Sequence, residues 1–512
     1  MPTSGRFVRA TWLIAGCTFC SRVLGLVREC AFGYFFSTSE LLSAFRIAFM
    51  APNLARRLFG EGALSAALIP VMTRSIEAQG DEASRRFFGS LLTLLGAILV
   101  VFVLSAEAVI AVWRTLQDDT ALILAAILMP YMALICLVAA VGAVLNVRGH
   151  FAAPAAAPAI LNLAMIAGIV GGSAWLGLTG RDLMYVVCVS VLIGGVIQLL
   201  ATGWTLRVVR FTPLGGLGWR DPRIREVIGL MAPMVLGLSA VQINSLVDYV
   251  IAYSFIVENH ERVGPAVLGY AQTIYQLPLG MFGIALATAI FPILAAKANE
   301  GDRAGLADVV ARGIRINLFV ALPASVGLIF VAHPLVATLF ERGRFDAQDT
   351  QRVSWVLVFY AAGLAAYFLQ HVLVRTFYAM RDSKTPARIA GFMVVLNFAL
   401  NLALVFPLKE RGLALSTALC ATIQVIWLAT RLSGRLPELQ WRAIAGAVVR
   451  MLLATAVMSA VLVALSLPNV LGNAIGSDAA VRLAVLVAAG VLSYVLAAFL
   501  LRIEELRSVL RR

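Results

Sequence analysis

The sequence predicts an all-α polytopic membrane protein of about 14 transmembrane helices, built as two pseudo-symmetric six-helix lobes plus two C-terminal helices. Three observations carry this. The chain of 512 residues is 61% hydrophobic and 13% charged, with a mean hydropathy of +0.91, whereas soluble domains hold about 25% charged residues. Apolar runs of about 20 residues recur from end to end, each long enough to cross a bilayer as a helix. The runs lack the period of two that a barrel needs, and isolated strands leave backbone groups unpaired in lipid.

The expected spans fall at roughly 8–36, 40–73, 87–112, 121–146, 153–176, 184–206, 227–256, 266–296, 313–332, 353–379, 388–407, 412–431, 444–466 and 482–502. The first contains Arg22 and Arg28 and no clean cleavage site, so it reads as a retained helix and not a signal peptide. The second and eighth are long, and Pro52 and Pro278 interrupt them. Six cysteines are scattered, and the Cys17-x-x-Cys20 pair lies inside a span with no second pair, so these read as small apolar side chains. The four histidines show no ligand spacing and there is no P-loop motif. No cofactor and no metal centre are expected, and ATP is not expected as the direct energy source.

Net charge is +14. In a soluble protein that would raise nucleic-acid binding, but here its distribution explains it. Even-numbered loops and both termini hold roughly 26 Lys and Arg, odd-numbered loops roughly 9. The positive-inside rule then places both termini and the even loops in the cytoplasm. Arg207, Arg210, Arg220, Arg223 and Arg225 mark one such loop, and Arg431, Arg435, Arg442 and Arg450 another.

An internal repeat organises the chain. Ala44-Phe45-Arg46 leads to Pro52, Phe59-Gly60, Ala67 and Pro70; Tyr270-Ala271-Gln272 leads to Pro278, Phe282-Gly283, Ala289 and Pro292. A second pair runs from Tyr131 through Arg148, Pro154 and Asn162, and from Tyr360 through Arg381, Pro386 and Asn397. The division expected is an N-terminal lobe at 1–212, a C-terminal lobe at 213–436 and two extra helices at 437–512. Repeats of this kind build transporters whose substrate site lies near the membrane midplane.

Charge inside the spans marks the candidate site. Arg22, Arg28 and Glu29 lie on the first span, and Arg46, Arg56, Arg57 and Glu61 on the second. A charge in the bilayer core costs a few kcal/mol or more, so such residues face a bundle interior or a watery cavity. The second copy of the repeat carries Gln, Gly and apolar residues instead, which makes the N-terminal lobe the anion-binding half. Arg22 and Glu29, seven apart, share a helix face, and Gly25 near it allows close approach or a bend. Arg28 projects about a third of a turn away. Arg57 and Glu61, four apart, can simply pair. Arginine's planar fork suits phosphate oxygens, so a diphosphate is a natural ligand. The plainer alternative is a set of internal salt bridges that fixes helix packing. In the second lobe Asn244 and Asp248, and Asn397 and Asn401, are spaced four apart. Their oxygens suit a small cation, and equally suit interhelical hydrogen bonding.

These residues resemble the MurJ (MviN) lipid II flippase family of the MOP exporter superfamily. The likeness rests on Ser21-Arg22-Val23-Leu24-Gly25 through Arg28, and on Pro52-Asn53-x-x-Arg56-Arg57-x-Phe59-x-Glu61-Gly62-x-x-Ser65 through Pro70. Gln276-Leu277-Pro278-Leu279-Gly280 with Phe282-Gly283, Phe340-Glu341-Arg342-Gly343-x-Phe345, Phe377-Tyr378-Ala379 with Asp382, Thr385 and Pro386, and Gly412-Leu413-Ala414-Leu415 extend it over the whole chain. The resemblance implies a cationic central cavity in the bacterial inner membrane. It implies export of an undecaprenyl-diphosphate-linked peptidoglycan precursor (lipid II) to the outer leaflet by alternating access. Arg22, Arg28, Arg56 and Arg46 would engage the diphosphate; Glu29, Arg57, Glu61 and Gly25 would serve gating; a coupling cation and cell-wall synthases are the expected partners. The chain departs from the family where many members have an Asp and it has Ser43, with Glu40 one turn earlier, and where many have an Arg and it has Thr273. Rival readings are an exporter of another lipid-linked glycan or of drugs, a membrane-embedded glycosyl- or phosphotransferase, and a non-transporting scaffold. The cationic cavity disfavours cationic drugs. The adjacent acidic pair Asp118-Asp119, in a short outside loop, gives little support to a transferase.

Overall fold

In the computed structural model, residues 4–60, 63–117, 119–216, 218, 220–467 and 478–506 are described. They are helical almost throughout. In order the helices are α1 (Ser4–Phe36), α2 (Glu40–Ala55), α3 (Ala63–Leu116), α4 (Thr120–Val147), α5 (Ala152–Ala174), α6 (Gly180–Val208) and α7 (Pro222–Phe255). There follow α8 (Gly264–Pro278), α9 (Ile284–Asn299), α10 (Arg303–Phe340), α11 (Ala347–Ala362), α12 (Leu364–Ala379), α13 (Lys384–Leu408), α14 (Glu410–Arg435), α15 (Trp441–Ser466) and α16 (Ala479–Leu500). Two two-residue strands, Val257–Glu258 and Glu261–Arg262, interrupt them.

Among the described residues, ten helical segments are long and apolar enough to cross a membrane, or eleven if α11 and α12, bent by 40° about Gly363, form one span. The expectation was about 14. One reason for the difference is that Glu40–Leu116, which includes the undescribed residues 61 and 62, counts as one candidate although it covers the second and third expected spans. It turns at Gly80, whose φ of 77° suits a residue without Cβ. Helices α1 and α7 run through the places of the first and seventh expected spans.

Helix starts follow local chemistry. Asp119, Asp302 and Asp478 each accept from an early backbone N–H of α4, α10 and α16, at 2.8, 2.8 and 2.9 Å. Asp346 and Asp349 close a reciprocal capping box on α11. The two proline interruptions become π-turns, Arg56–Gly60 and Leu279–Gly283. The first falls four residues after Pro52, the second directly after Pro278, and both end on Phe-Gly. Proline removes an N–H donor and crowds the preceding turn, and a wider turn relieves the mismatch.

The chain divides into two units: Met1–Leu246 with His260–Pro265, and Val247–Asn259 with Ala266–Arg512. In the first, α4 packs on α3, α2 and α6, and α5 lies against both α1 and α6. Small residues allow the last contact: a Cβ on Gly194 of α6 would stand 2.9 Å from Ala164 of α5. In the second, α10 is the central helix and packs on α11, α12, α15 and α16. Tyr494 of α16 donates to the Phe319 carbonyl of α10 at 2.9 Å, and Arg315 of α10 pairs with buried Glu505 at 3.1 Å.

Candidate anion site and buried polar cluster

In the first unit α1, α2 and α5 bring four polar side chains together. Glu29 is 2% exposed. Its two oxygens accept from Arg28 Nη2 at 2.6 Å and from Arg46 Nη2 of α2 at 2.7 Å. Arg28 Nη1 donates to Asn162 Oδ1 of α5 at 2.9 Å, and Asn162 Nδ2 donates to the Ser21 carbonyl at 3.0 Å. The Arg28 guanidinium also lies 6.0 Å from the Phe32 ring centroid. Arg28 Nε is buried and has no hydrogen-bond partner. One carboxylate thus serves two guanidiniums, and the cluster keeps a net positive charge.

This arrangement revises several expectations. Spacing puts Arg22 and Glu29 on one helix face, and Glu29 forms ion pairs with Arg28 and Arg46. Long side chains reach back along their own helix and across to the next, so a shared face does not decide a pair. Arg22 is half-buried on the same helix. A Cβ on Gly25 would stand 3.6 Å from Asn162 Nδ2, an ordinary contact. Helix α1 continues through Gly25, so neither close approach nor a helix break explains the residue. Arg56 Nε donates to Asn53 Oδ1 at 3.1 Å, one turn away. Arg57 Nη1 donates to Gln242 Oε1 of α7 at 3.2 Å. Glu61, offered as the Arg57 partner, lies outside the described residues. Ser43 is fully buried, and the Thr273 hydroxyl turns back to the Gly269 carbonyl at 3.0 Å.

The second unit holds a separate buried cluster. Asn401 Nδ2 donates to Asp248 Oδ1 at 2.6 Å and to Asn397 Oδ1 at 2.9 Å. Asn397 Nδ2 donates to Ser416 Oγ at 3.1 Å, Ser416 donates to Asn401, and Thr417 donates to Asp248 Oδ2 at 3.5 Å. Asp248 is 4% exposed, and Asn397, Asn401 and Ser416 are fully buried. Of the four residues singled out in sequence, three meet here. Asn244 has a buried Oδ1 with no hydrogen-bond partner. The carboxylate, amide and hydroxyl oxygens of this cluster are the ligand types a hard cation takes. Among the described residues no three His, Cys, Asp or Glu gather as a metal site.

Sequence reasoning missed Ser416, Thr417 and Gln242, and used Asn162 only as a landmark of the repeat. A usable signal existed for Asn162: it is the only amide in the apolar α5 segment, and the repeat matches it to Asn397. A chain from Tyr249 through Gln272 to the Tyr360 hydroxyl, both steps at 3.1 Å, was also missed.

Comparisons fit these features. Residues 32–471 match the family described as "Lipid II flippase MurJ". A Rhizobium tropici protein described as "Probable lipid II flippase MurJ" is 33% identical over 469 residues, covering 88% of this chain and 86% of that one. The "Lipid II flippase MurJ" of Burkholderia cenocepacia is 32% identical over 437 residues, covering 82% of each. Among solved structures, an inward closed conformation of the lipid II flippase MurJ superposes with a TM-score of 0.79 at 24% identity, over 96% of this chain and 99% of that one. An inward-facing MATE family multidrug transporter of the MOP superfamily superposes with a TM-score of 0.61 at 18% identity, over 82% and 94%.

Fold and buried charge together define a polytopic helical membrane protein with the fold of the MOP-superfamily structures. The chain belongs to the MurJ lipid II flippase family. It is a multi-pass protein of the bacterial inner membrane with a lipid-linked substrate.

Proposed function

We propose that this chain carries lipid II, the undecaprenyl-diphosphate-linked peptidoglycan precursor, from the inner to the outer leaflet by alternating access, for cell-wall synthesis. The observation that carries this reading is Arg28. Its orientation is fixed by Glu29 and Asn162, yet a guanidinium has five N–H donors, and the buried Nε has no hydrogen-bond partner. A diphosphate can take the remaining donors in the bidentate fashion arginine favours. Arg46 shares the same carboxylate, and Arg22 and Arg56 extend the cationic surface of the N-terminal lobe. Glu29, Arg57, Glu61 and Gly25 serve gating; breaking the Glu29 and Arg57 contacts frees neighbouring helices. Residues 1–212 form the N-terminal lobe, 213–436 the C-terminal lobe and 437–512 the two extra helices. Both termini are cytoplasmic.

Net positive charge in the empty carrier makes its reorientation sensitive to the membrane potential. The Asp248, Asn397 and Asn401 cluster is the proposed seat of a coupling cation. Cell-wall synthases are the proposed users of the exported precursor.

The test is leaflet accessibility. The protein is depleted in its host and a headgroup-cleaving enzyme is added from outside. Protection of accumulated precursor, reversed by the wild-type gene but not by Arg28→Ala, is the expected result. Continued cleavage without the protein would assign the step to another carrier. It would bring forward export of a different lipid-linked glycan or of drugs.

A further inference from the structure

We propose that Asn162 is a positioning residue for diphosphate capture, acting through Arg28; this rests on the reading of Arg28 as a diphosphate ligand. Asn162 is 7% exposed and lies on α5, a helix with no charged residue. Both ends of its amide are committed to α1. Oδ1 accepts from Arg28 Nη1 at 2.9 Å, and Nδ2 donates to the Ser21 carbonyl at 3.0 Å. These two contacts act on different parts of α1. The Ser21 bond fixes the amide against the backbone, and the fixed oxygen then sets the direction of the guanidinium. The amide lies beside Gly25, where a Cβ would stand 3.6 Å from its Nδ2.

Glu29 holds Nη2 at 2.6 Å, so Asn162 and Glu29 grip the two terminal nitrogens of one planar group. A guanidinium held at both ends cannot rotate about its long axis. What remains without a partner is its buried Nε donor. A free arginine loses rotamer freedom when it binds an anion, and one already ordered does not. A neutral amide is suited to this task, because a carboxylate in its place would cancel the charge that attracts the ligand. Asn162 therefore does not need to touch the diphosphate to raise its affinity.

The experiment uses the full chain in lipid nanodiscs and inorganic pyrophosphate as the probe, with binding measured for wild type, Arg28→Ala, Asn162→Leu and the double variant. Each single change is expected to weaken binding about tenfold, and the double also about tenfold, because residues acting as one unit are not additive. A double loss near a hundredfold, or wild-type affinity in Asn162→Leu, overturns the proposal. If wild type and Arg28→Ala bind pyrophosphate equally, or neither binds, the diphosphate reading of Arg28 itself falls and this inference with it. Should Asn162→Leu fail to fold, Asn162→Asp keeps the shape and the acceptor for Arg28. Its added charge is expected to weaken pyrophosphate binding by about tenfold or more, and unchanged affinity there also overturns the proposal.

Discussion

Glu29 and Asp248 hold matching places in the two halves of the repeat. Each is a buried carboxylate seven positions before the phenylalanine that ends its helix, Phe36 of α1 and Phe255 of α7. Their surroundings differ in kind. Glu29 is met by two guanidiniums, Asp248 by an amide and a hydroxyl. The same position therefore carries internal cations in one half and only neutral donors in the other. The first arrangement attracts anions, and the second leaves a carboxylate whose charge an external cation can balance.

Removing the shared carboxylate should expose this dependence. Glu29→Ala leaves Arg28 and Arg46 side by side in a buried place, and breaking a buried pair from one side costs about 3 kcal/mol. A lower thermal midpoint in detergent is expected, with partial recovery in the Glu29→Ala, Arg46→Leu double variant. An unchanged midpoint in the single variant would show that the pair contributes nothing to stability.

The Asp248 cluster should respond to cations. Sodium, potassium and lithium, added separately, are expected to include at least one that raises the thermal midpoint of wild type but not of Asp248→Asn. A cation at a hundred times its Kd would add about 2.7 kcal/mol. No shift with any of the three would leave the cluster as interhelical hydrogen bonding alone.

Two glycines test the packing of the second π-turn. A Cβ on Gly283 would stand 3.0 Å from Phe368, whereas one on Gly327 of α10 meets nothing within 4 Å. Gly283→Ala is expected to cost about 1–2 kcal/mol through overpacking, and Gly327→Ala to gain up to about 1 kcal/mol in helix propensity. Comparing the two unfolding midpoints in one detergent checks the order, and a reversed order would refute it.

Acid should loosen the join between α3 and α7. Hydrogen bonds from Arg223 hold the Asp221 carboxyl below the usual range. Arg223 also donates to Ser75 Oγ at 2.9 Å and lies 4.7 Å from the Phe87 ring centroid. A lowered folded value means that the contribution is complete above the ordinary aspartate pKa of about 4. It is lost as pH falls through the lower folded value. The midpoint difference between wild type and Asp221→Asn should shrink as pH drops from 7 toward 3, and a difference constant with pH would exclude this origin.

Much of the architecture was legible in the sequence because lipid leaves a chain few options. Backbone groups must pair within a segment, so apolar length alone announces helices. The proline positions announced both interruptions, although the first appears at Arg56–Gly60 and not at Pro52 itself. The charged members of the candidate cluster were legible too, since arginine in a span is costly and therefore conspicuous. The pairings were not. Arg28 with Glu29 are chain neighbours that periodicity assigns to different directions, and Arg46 reaches the same carboxylate from another helix.

The sequence by itself determined that this chain is a polytopic helical protein with a repeat and with buried charge in its first two spans. Hydropathy, proline and charge are properties of single residues summed along a line, and they survive without coordinates. Only the tertiary structure decided that Asn162 bridges α5 to α1, that Glu29 is shared by Arg28 and Arg46, and that Asp248 meets Asn401. All but the Arg28–Glu29 pair are contacts between different helices. Side-chain reach and helix packing fix them, and neither is written in the order of the residues.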